Sequence, residues 1–387
     1  MESLISPTAD MLLWSVLVAI VAFGFWAEKN TAAGKLITGI IVAMMTAMIL
    51  SNIRVIPFEA AVYDTIFKSI LPVAIPLMLF RTDLVAAFRY GGKTLLAFGI
   101  GAMAIMFGAI VAAVVVPVGD ITALTAGLFT ATYTGGSANF AATALAAGFN
   151  DGSLLTPLIA ADIVATNLQT MLLVMLPGLA IMQRFFGPAP VIEAKEPVAV
   201  ELEPESKSGA FKLPGLALAL ALALFLAYLG NVTAEYAGQP SYGIVFTTAY
   251  ALLVSNFLKP VVRAMAYDFE MGLFFCFLFL VALAAGANLS MLVDYGLRFF
   301  LFAMLMLTIH TTLIILIGRI VGLDIRSVVI GSTAGVGGIT SAAAIASAKG
   351  WRDLIIPGVM AGTIGNALGT FLGVLIWRLL SLIVGSE

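Results

Sequence analysis

The chain of 387 residues is 61% hydrophobic and only 10% charged, with a formal net charge of −2, whereas a soluble domain carries about 25% charged residues. This composition excludes a soluble globular protein and offers no basic surface for nucleic acid. The single cysteine and the single histidine exclude an internal disulfide and a Cys/His metal cluster. We therefore expect an all-α, multi-pass protein of a lipid bilayer.

Twelve apolar segments follow one another along the chain. Most approach the length of about 17–25 residues that a membrane-spanning helix needs. They lie near 11–27, 35–51, 66–80, 94–117, 121–148 and 154–183, and then near 214–229, 242–258, 271–287, 297–317, 327–348 and 354–383. Between the two sets, a stretch rich in Pro, Glu and Lys is typical of a solvated linker. The predicted organisation is an N-terminal repeat (1–183), a linker (184–212) and a C-terminal repeat (213–387).

The two halves carry the same landmarks in the same order. A shift of 202 residues places Gly135–Gly136 over Gly337–Gly338 and Asp151 over Asp353. A Tyr-Gly pair upstream and a proline downstream recur as well. These matches predict an internal repeat.

The positions of the basic residues choose between parallel and inverted repeats. If all twelve segments crossed the membrane, the 19 basic residues would be shared 11 to 8 between the two sides. If each Gly-Gly segment enters and leaves on one side, 15 of the 19 lie together. Cytoplasmic loops collect Lys and Arg. The sequence thus favours two inverted repeats, each with five crossing helices and one interrupted segment, with both termini outside and the linker in the cytoplasm.

The two Gly-Gly segments predict a binding site. Backbone without helical hydrogen bonds is tolerated at membrane depth only when it is buried in protein or lines a wet cavity, and interrupted helices in inverted repeats are typical of secondary transporters. Half-helices that begin near Ser137 and Thr340 would direct their amide N–H groups at an anion. The glycines would let a solute approach the backbone. The alternative is that they serve only close helix packing.

Asp162 is a carboxylate within a predicted membrane segment, and Thr166 and Asn167 share its helix face. Such a charge costs about 2.5–3.5 kcal/mol at the helix centre on insertion scales, so it should face a cavity, a cation or a proton. The matching position of the second half is Gly362. Oxygens of Asp162, Asn167 and Asn139 would suit sodium, protonation of Asp162 would suit proton coupling, and pairing of the acid with an amide would serve packing alone.

His310 lies in the tenth segment. We expect a neutral imidazole bonded to a threonine hydroxyl, with a proton relay as the alternative. Ser137 with His310 could form a hydrolase site, but no nucleophile motif or orienting acid accompanies them. We therefore expect no enzyme.

Three stretches, "LMLFRTDL", "YTGGSANFAA" and "AADIVATNL", resemble the YjcL-like family of uncharacterised bacterial integral membrane proteins over essentially the whole chain. That family is grouped with the cation/proton antiporters and anion/sodium symporters, and its layout is similar to that of sodium/glutamate symporters. The resemblance implies an elevator-type transporter of the bacterial inner membrane, in which a core of broken helices slides against a dimerising scaffold. Many of the antiporters carry two adjacent aspartates, whereas Ala161 and Ile163 flank Asp162.

The resemblance also implies the site residues. It maps onto Ser137, Asn139, Thr340, Ser341 and Asn366. With the glycines of the two interruptions and the adjacent Thr134, the predicted solute-binding residues are Thr134, Gly135, Gly136, Ser137, Asn139, Gly337, Gly338, Thr340, Ser341 and Asn366. The predicted ion-coupling residues are Asp162, Thr166 and Asn167. The expected function is sodium- or proton-coupled symport of a small organic anion or amino acid by alternating access, and the alternative is a cation/proton antiporter that uses Asp162. No cofactor is expected beyond a sodium ion, and a homodimer is implied.

Overall fold

A computed structural model describes residues 3–187, 212–287 and 289–384. Most of the predicted linker, 188–211, lies outside these ranges. The described chain contains helices and turns and no strand. Eight helices are long and apolar enough to cross a membrane. The prediction of an all-α, multi-pass membrane protein is therefore confirmed.

The N-terminal half begins with long helices and ends with a broken pair and one more long helix. Its helices are α1 (Asp10–Asn30), α2 (Ala32–Asn52), α3 (Ala61–Thr65), α4 (Leu71–Leu79), α5 (Leu84–Tyr90), α6 (Gly92–Val115), α7 (Thr122–Gly135), α8 (Ser137–Ala146), α9 (Gly152–Met175) and α10 (Ala180–Phe186). A π-helical turn, Ile66–Ile70, joins α3 to α4, so this span begins five residues earlier than the predicted 66–80.

The C-terminal half follows the same order. Its helices are α11 (Leu213–Tyr236), α12 (Gly243–Phe257), α13 (Lys259–Ala264), α14 (Asp268–Ala285), α15 (Leu289–Ile320), α16 (Ile325–Val336), α17 (Gly338–Ala348) and α18 (Ile355–Val384). One predicted boundary was wrong: the segment 154–183 is two helices. Pro177 lies in the 3₁₀ turn Leu176–Gly178, where its missing N–H prevents α9 from continuing into α10.

The long helices pack as two groups. The first group, which we call the core group, consists of α6 to α9 and α15 to α18, and its most extensive packing joins α18 to α7 and α15 to α6 and α9. The second group, which we call the outer group, consists of α1, α2, α4, α11, α12 and α14, where α1 packs on α2 and α14 on α4. Contacts across the boundary are much less extensive and involve mainly α8 and α9 of the core group.

An ion pair fixes α4 to α14 within the outer group. Arg81, just after α4, donates from Nε and Nη2 to the carboxylate of Asp268 at 2.6–3.0 Å. The Asp268 side chain is fully buried. A bidentate pair of this kind fixes orientation as well as distance.

Candidate functional site

Each predicted interruption is present as a break between two helices. α7 ends at Gly135 and α8 begins at Ser137, and Gly136 between them has φ 85° and ψ 177°. Only glycine adopts this conformation without strain. In the second half, Gly338 has φ +76°, so again the second glycine of the pair makes the turn. There α17 begins two residues before the expected Thr340.

The first break reverses the chain, because both of its helices lie along the same stretch of α18 in opposite directions. A Cβ added at Gly369 would lie 2.9 Å from Ala131 O and 2.7 Å from Asn139 Cγ, and one at Gly373 would lie 2.9 Å from Gly127 O and 2.8 Å from Thr143 Oγ1. From Gly369 to Gly373 of α18, the neighbouring residue number falls in α7 and rises in α8. α7 is therefore antiparallel to α18, and α8 is parallel to it. The pair is therefore a hairpin that turns back on itself at its glycine tip.

The second break reverses the chain as well. Asp353, two residues before α18, is paired with Arg326 at 3.3 Å. Along α18 itself, a Cβ added at Gly358 would lie 2.6 Å from Ile330 and 3.3 Å from Ala342, and one at Gly362 would lie 2.9 Å from Ile339. Here α16 runs with α18 and α17 runs against it. The chain thus contains two helical hairpins, both packed on α18 and both with Gly-Gly tips.

The two tips line a single cavity of about 640 Å³. It lies at the boundary between the core group and helices α1, α2 and α14 of the outer group, and it reaches exposed side chains at the end of α1. The predicted site residues that line it are Gly136, Ser137, Asp162, Thr166, Asn167, Gly337, Thr340 and Ser341. Residues that the sequence placed in opposite halves thus share one space.

Five predicted solute-binding residues do not line this cavity. Gly135 and Asn366 line a smaller adjoining space, and Thr134 is fully buried in α7. Gly338 makes the second turn, and Asn139 points toward α18. An added Cβ at Gly135 would collide with the carbonyl oxygen of Gly365. At this glycine, close packing is thus the geometric requirement.

Asn139 is held by three hydrogen bonds. Its Nδ2 donates to Gly135 O at 2.7 Å, and its Oδ1 accepts from Thr370 N at 2.9 Å and from Thr370 Oγ1 at 2.6 Å. The side chain is 5% exposed. Both lone pairs of its oxygen are used, so Asn139 ties the first hairpin to α18 and leaves no acceptor for an ion.

Asp162 lies on the cavity wall with hydroxyl groups around it. Thr132 Oγ1 donates to one carboxylate oxygen at 3.1 Å and Thr166 Oγ1 to the other at 3.3 Å. The residue is 4% exposed, and none of the ion pairs within the described ranges involves it. The hydroxyl of Tyr133 is near this carboxylate. Among the described residues, this hydroxyl has no hydrogen-bond partner within the usual distance and angle limits. A carboxylate with hydroxyl donors and no cation can take up a proton or a hard cation.

Some residues that line the cavity were not predicted from the sequence. Thr132 is one of several hydroxyl residues in "TATYTGGS", a density that could have signalled a polar wall. Glu28 and Lys29 reach the cavity from α1, and Phe25 and Phe277 add aromatic surface. Charges at the end of an apolar segment are usually interfacial, and only the packing of α1 on α2 and α14 reveals their position here.

His310 belongs to the packing of the core group. Its Nδ1 is 3.0 Å from Gly101 O, and its Nε2 is 2.7 Å from Ser332 Oγ. A carbonyl can only accept, so Nδ1 carries the proton and Nε2 accepts from the hydroxyl. The expected hydroxyl partner is thus a serine of α16, not a threonine. With both nitrogens occupied, this arrangement gives Ser137 no histidine base.

These features define a helical membrane protein with two opposed hairpins around a cavity whose wall includes the Asp162 carboxylate and several hydroxyl groups. The sequence matches, over residues 15–383, the family described as "Protein of unknown function (DUF819)", and the chain belongs to that family. It is also similar to the uncharacterized membrane protein YjcL of Bacillus subtilis (strain 168), with 28% identity over 405 residues that cover 96% of this chain and 98% of the relative. The resemblance to YjcL-like membrane proteins is thereby confirmed.

Proposed function

We propose that this protein is a secondary active transporter that couples the movement of a small organic anion or amino acid to sodium or protons. One observation supports this most: both hairpin tips and Asp162 line one cavity. Helix α8 begins at Ser137, and helix α17 begins at Gly338, two residues before Thr340. Free amides and the helix dipole at such ends favour a carboxylate or another anion.

The proposed movement is an elevator-type displacement of the core group against the outer group. The cavity lies at their boundary, and the packing across this boundary is less extensive than the packing within either group. Asn139 would keep the first hairpin and α18 moving as one body. In the orientation predicted from the basic residues, the end of α1 is cytoplasmic, so the cavity would open to the inside. The bacterial inner membrane and a homodimer through the outer group belong to the same proposal.

Asp162 is the proposed coupling residue. A sodium ion would take oxygens from the Asp162 carboxylate, from Thr132 or Thr166, and from Asn167, which also lines the cavity. Asn139 is left out of this ion site because its oxygen is occupied by Thr370. Binding of either a proton or sodium would neutralise a charge that is costly in the membrane, so the loaded core group could cross more easily than the empty one.

A cation/proton antiporter is the second candidate. It is favoured by the same observation that Asp162 has hydroxyl donors but no basic partner in the described ion pairs. In that case one carboxylate would hold sodium and a proton in turn.

The test uses the purified full-length protein in proteoliposomes. Radiolabelled amino acids and organic acids are offered singly, with and without an inward sodium gradient or pH gradient. Uptake driven by either gradient supports the symporter. Proton release reported by an internal dye on addition of sodium, without any solute, supports the antiporter. Absence of both signals from protein that is folded by circular dichroism would overturn the proposed function.

A further inference from the structure

A second space adjoins the site cavity on the far side of the first hairpin tip. It measures about 170 Å³ and, like the cavity, is lined by Gly136, Ser137 and Thr340. We call this space the annex. Its remaining wall is largely apolar and includes Met78, Phe269, Leu273, Cys276, Phe277 and Leu280.

The apolar wall comes from one face of α14. Phe269, Leu273, Cys276 and Leu280 recur at helical spacing on that face, and Cys276 is 4% exposed. The annex therefore lies between this apolar face and the polar hairpin tip. Its two walls belong to different packing groups, since α14 is in the outer group and the hairpin tips are in the core group.

Besides Ser137 and Thr340 at the tips, one further polar side chain faces this space. Asn366 of α18 lines the annex, and its half-buried amide makes no hydrogen bond to any described residue. In contrast, the side-chain oxygen of the buried Asn139, the third residue of α8, accepts two hydrogen bonds from Thr370. The free amide is thus available to a polar atom of a bound molecule near the tip.

The size and chemistry of the annex indicate which molecule fits. A liquid water molecule occupies about 30 Å³, so the annex has room for a branched or aromatic side chain. Apolar surface that leaves water here gains affinity by about fourfold per buried methylene. A wholly polar solute would leave this wall uncovered.

We propose that the transported solute is a carboxylate or amino acid with a compact apolar tail, of the size of a leucine or phenylalanine side chain. Its head would lie at the hairpin tips and its tail in the annex. This inference rests on the proposed function and narrows its substrate class. Dicarboxylic amino acids and the smallest amino acids are disfavoured by the same geometry.

The experiment measures binding to the purified full-length protein by thermal shift, with sodium present, for alanine, leucine, phenylalanine and glutamate and for the corresponding 2-oxo acids. We expect leucine or phenylalanine, or the matching oxo acid, to bind at least about tenfold more tightly than the alanine-sized compound. Equal affinity across tail sizes, or preference for the glutamate-sized compound, overturns the inference. Gradient-driven uptake of another solute would then leave the proposed function standing, whereas its absence for every solute would remove both.

Cys276, the chain's single cysteine, reports occupancy without any substitution. Leucine- or phenylalanine-sized ligands should slow its alkylation by N-ethylmaleimide, and alanine at equal occupancy should not. Cys276→Phe fills the annex and should abolish the tail preference while alanine-sized binding persists, whereas Cys276→Ala should retain the preference. If Cys276→Phe does not fold, the affinity series and the labelling of the unmodified protein decide. Unchanged tail preference in a folded Cys276→Phe overturns the inference.

Discussion

The two hairpins share a turn at a glycine of positive φ but carry different side chains. Every residue of α7 and every residue of α16 is buried. In the first hairpin, Thr132 donates to the carboxylate of Asp162. The position that matches Thr132 in the second hairpin is Ala334. The first hairpin therefore contributes a hydrogen bond to the Asp162 carboxylate, and Ala334 cannot do the same in the second.

The positions of Asn139 and Ser341 sharpen this difference, because the shift of 202 residues aligns them. Asn139 is buried and bonded to Thr370, whereas Ser341 is half-buried and lines the cavity next to the exposed Thr340. The glycine turn is thus common to both hairpins, whereas the polar residues at the aligned positions differ. In our proposal both hairpins move with the core group. The first is tied to α18 through Asn139, and the second presents the hydroxyls of Thr340 and Ser341 to the solute.

The largest effect is expected from Asp162→Asn. The amide cannot exchange a proton and is a weaker ligand for sodium, so gradient-driven uptake should fall by about 10–100-fold or more, the range known for the loss of even outer ligands. Proteoliposome uptake is the measurement. Asp120→Asn, an exposed acid outside both hairpins, is the control and should behave like the unmodified protein. Equal uptake by both variants would contradict the assignment.

The aligned pair Asn139 and Ser341 gives the next largest effect. Asn139→Ala leaves the hydroxyl and amide of Thr370 without their buried acceptor, at a cost of about 1–3 kcal/mol for each unsatisfied group. The thermal midpoint of the purified protein should fall by several degrees. Ser341→Ala removes a hydroxyl from the cavity, so it should raise the apparent KM for uptake with little change in the midpoint. If Ser341→Ala lowered the midpoint and Asn139→Ala only raised the apparent KM, the proposed difference between the two hairpins would be wrong.

The glycine tips predict a smaller loss of stability. Gly136 and Gly338 have positive φ and open space where an added methyl group would lie, so an alanine there meets strain and no collision. Gly136→Ala and Gly338→Ala should each cost about 1–3 kcal/mol. Gly99→Ala in α6 is the control, since it also meets open space without a positive φ, and it should be neutral or slightly stabilising. Thermal unfolding of the three variants in one detergent checks this.

The sequence predicted the helical class, both interruptions and a cavity beside Asp162, because these depend on composition, on glycine conformation and on the cost of a charge in lipid. It could not predict which face of each half-helix meets the cavity. Asn139 and Ser137 are two residues apart, yet one is tied to α18 and the other lines the cavity. Glu28 and Lys29 likewise become cavity residues only through the packing of α1 on α2 and α14. Such placements depend on contacts between distant segments, and a single sequence does not record them.

The smallest effect concerns the acids that begin the last long helix of each half, Asp151 and Asp353, which the repeat also aligns. Asp151 caps α9 by accepting from Ser153 N at 2.9 Å, and asparagine caps a helix about as well, so Asp151→Asn should leave the midpoint nearly unchanged. Asp353 instead pairs with Arg326, whose side chain is mostly buried. Asp353→Asn would remove one of the two carboxylates near this guanidinium and leave Asp324 at 3.7 Å. We expect the free energy of unfolding to fall by about 1 kcal/mol, which would appear as a small drop in the thermal midpoint. In 1 M salt the difference from the unmodified protein should be smaller, because the charges are screened. A drop for Asp151→Asn as large as that for Asp353→Asn would show that the bases of the two hairpins are held in the same way.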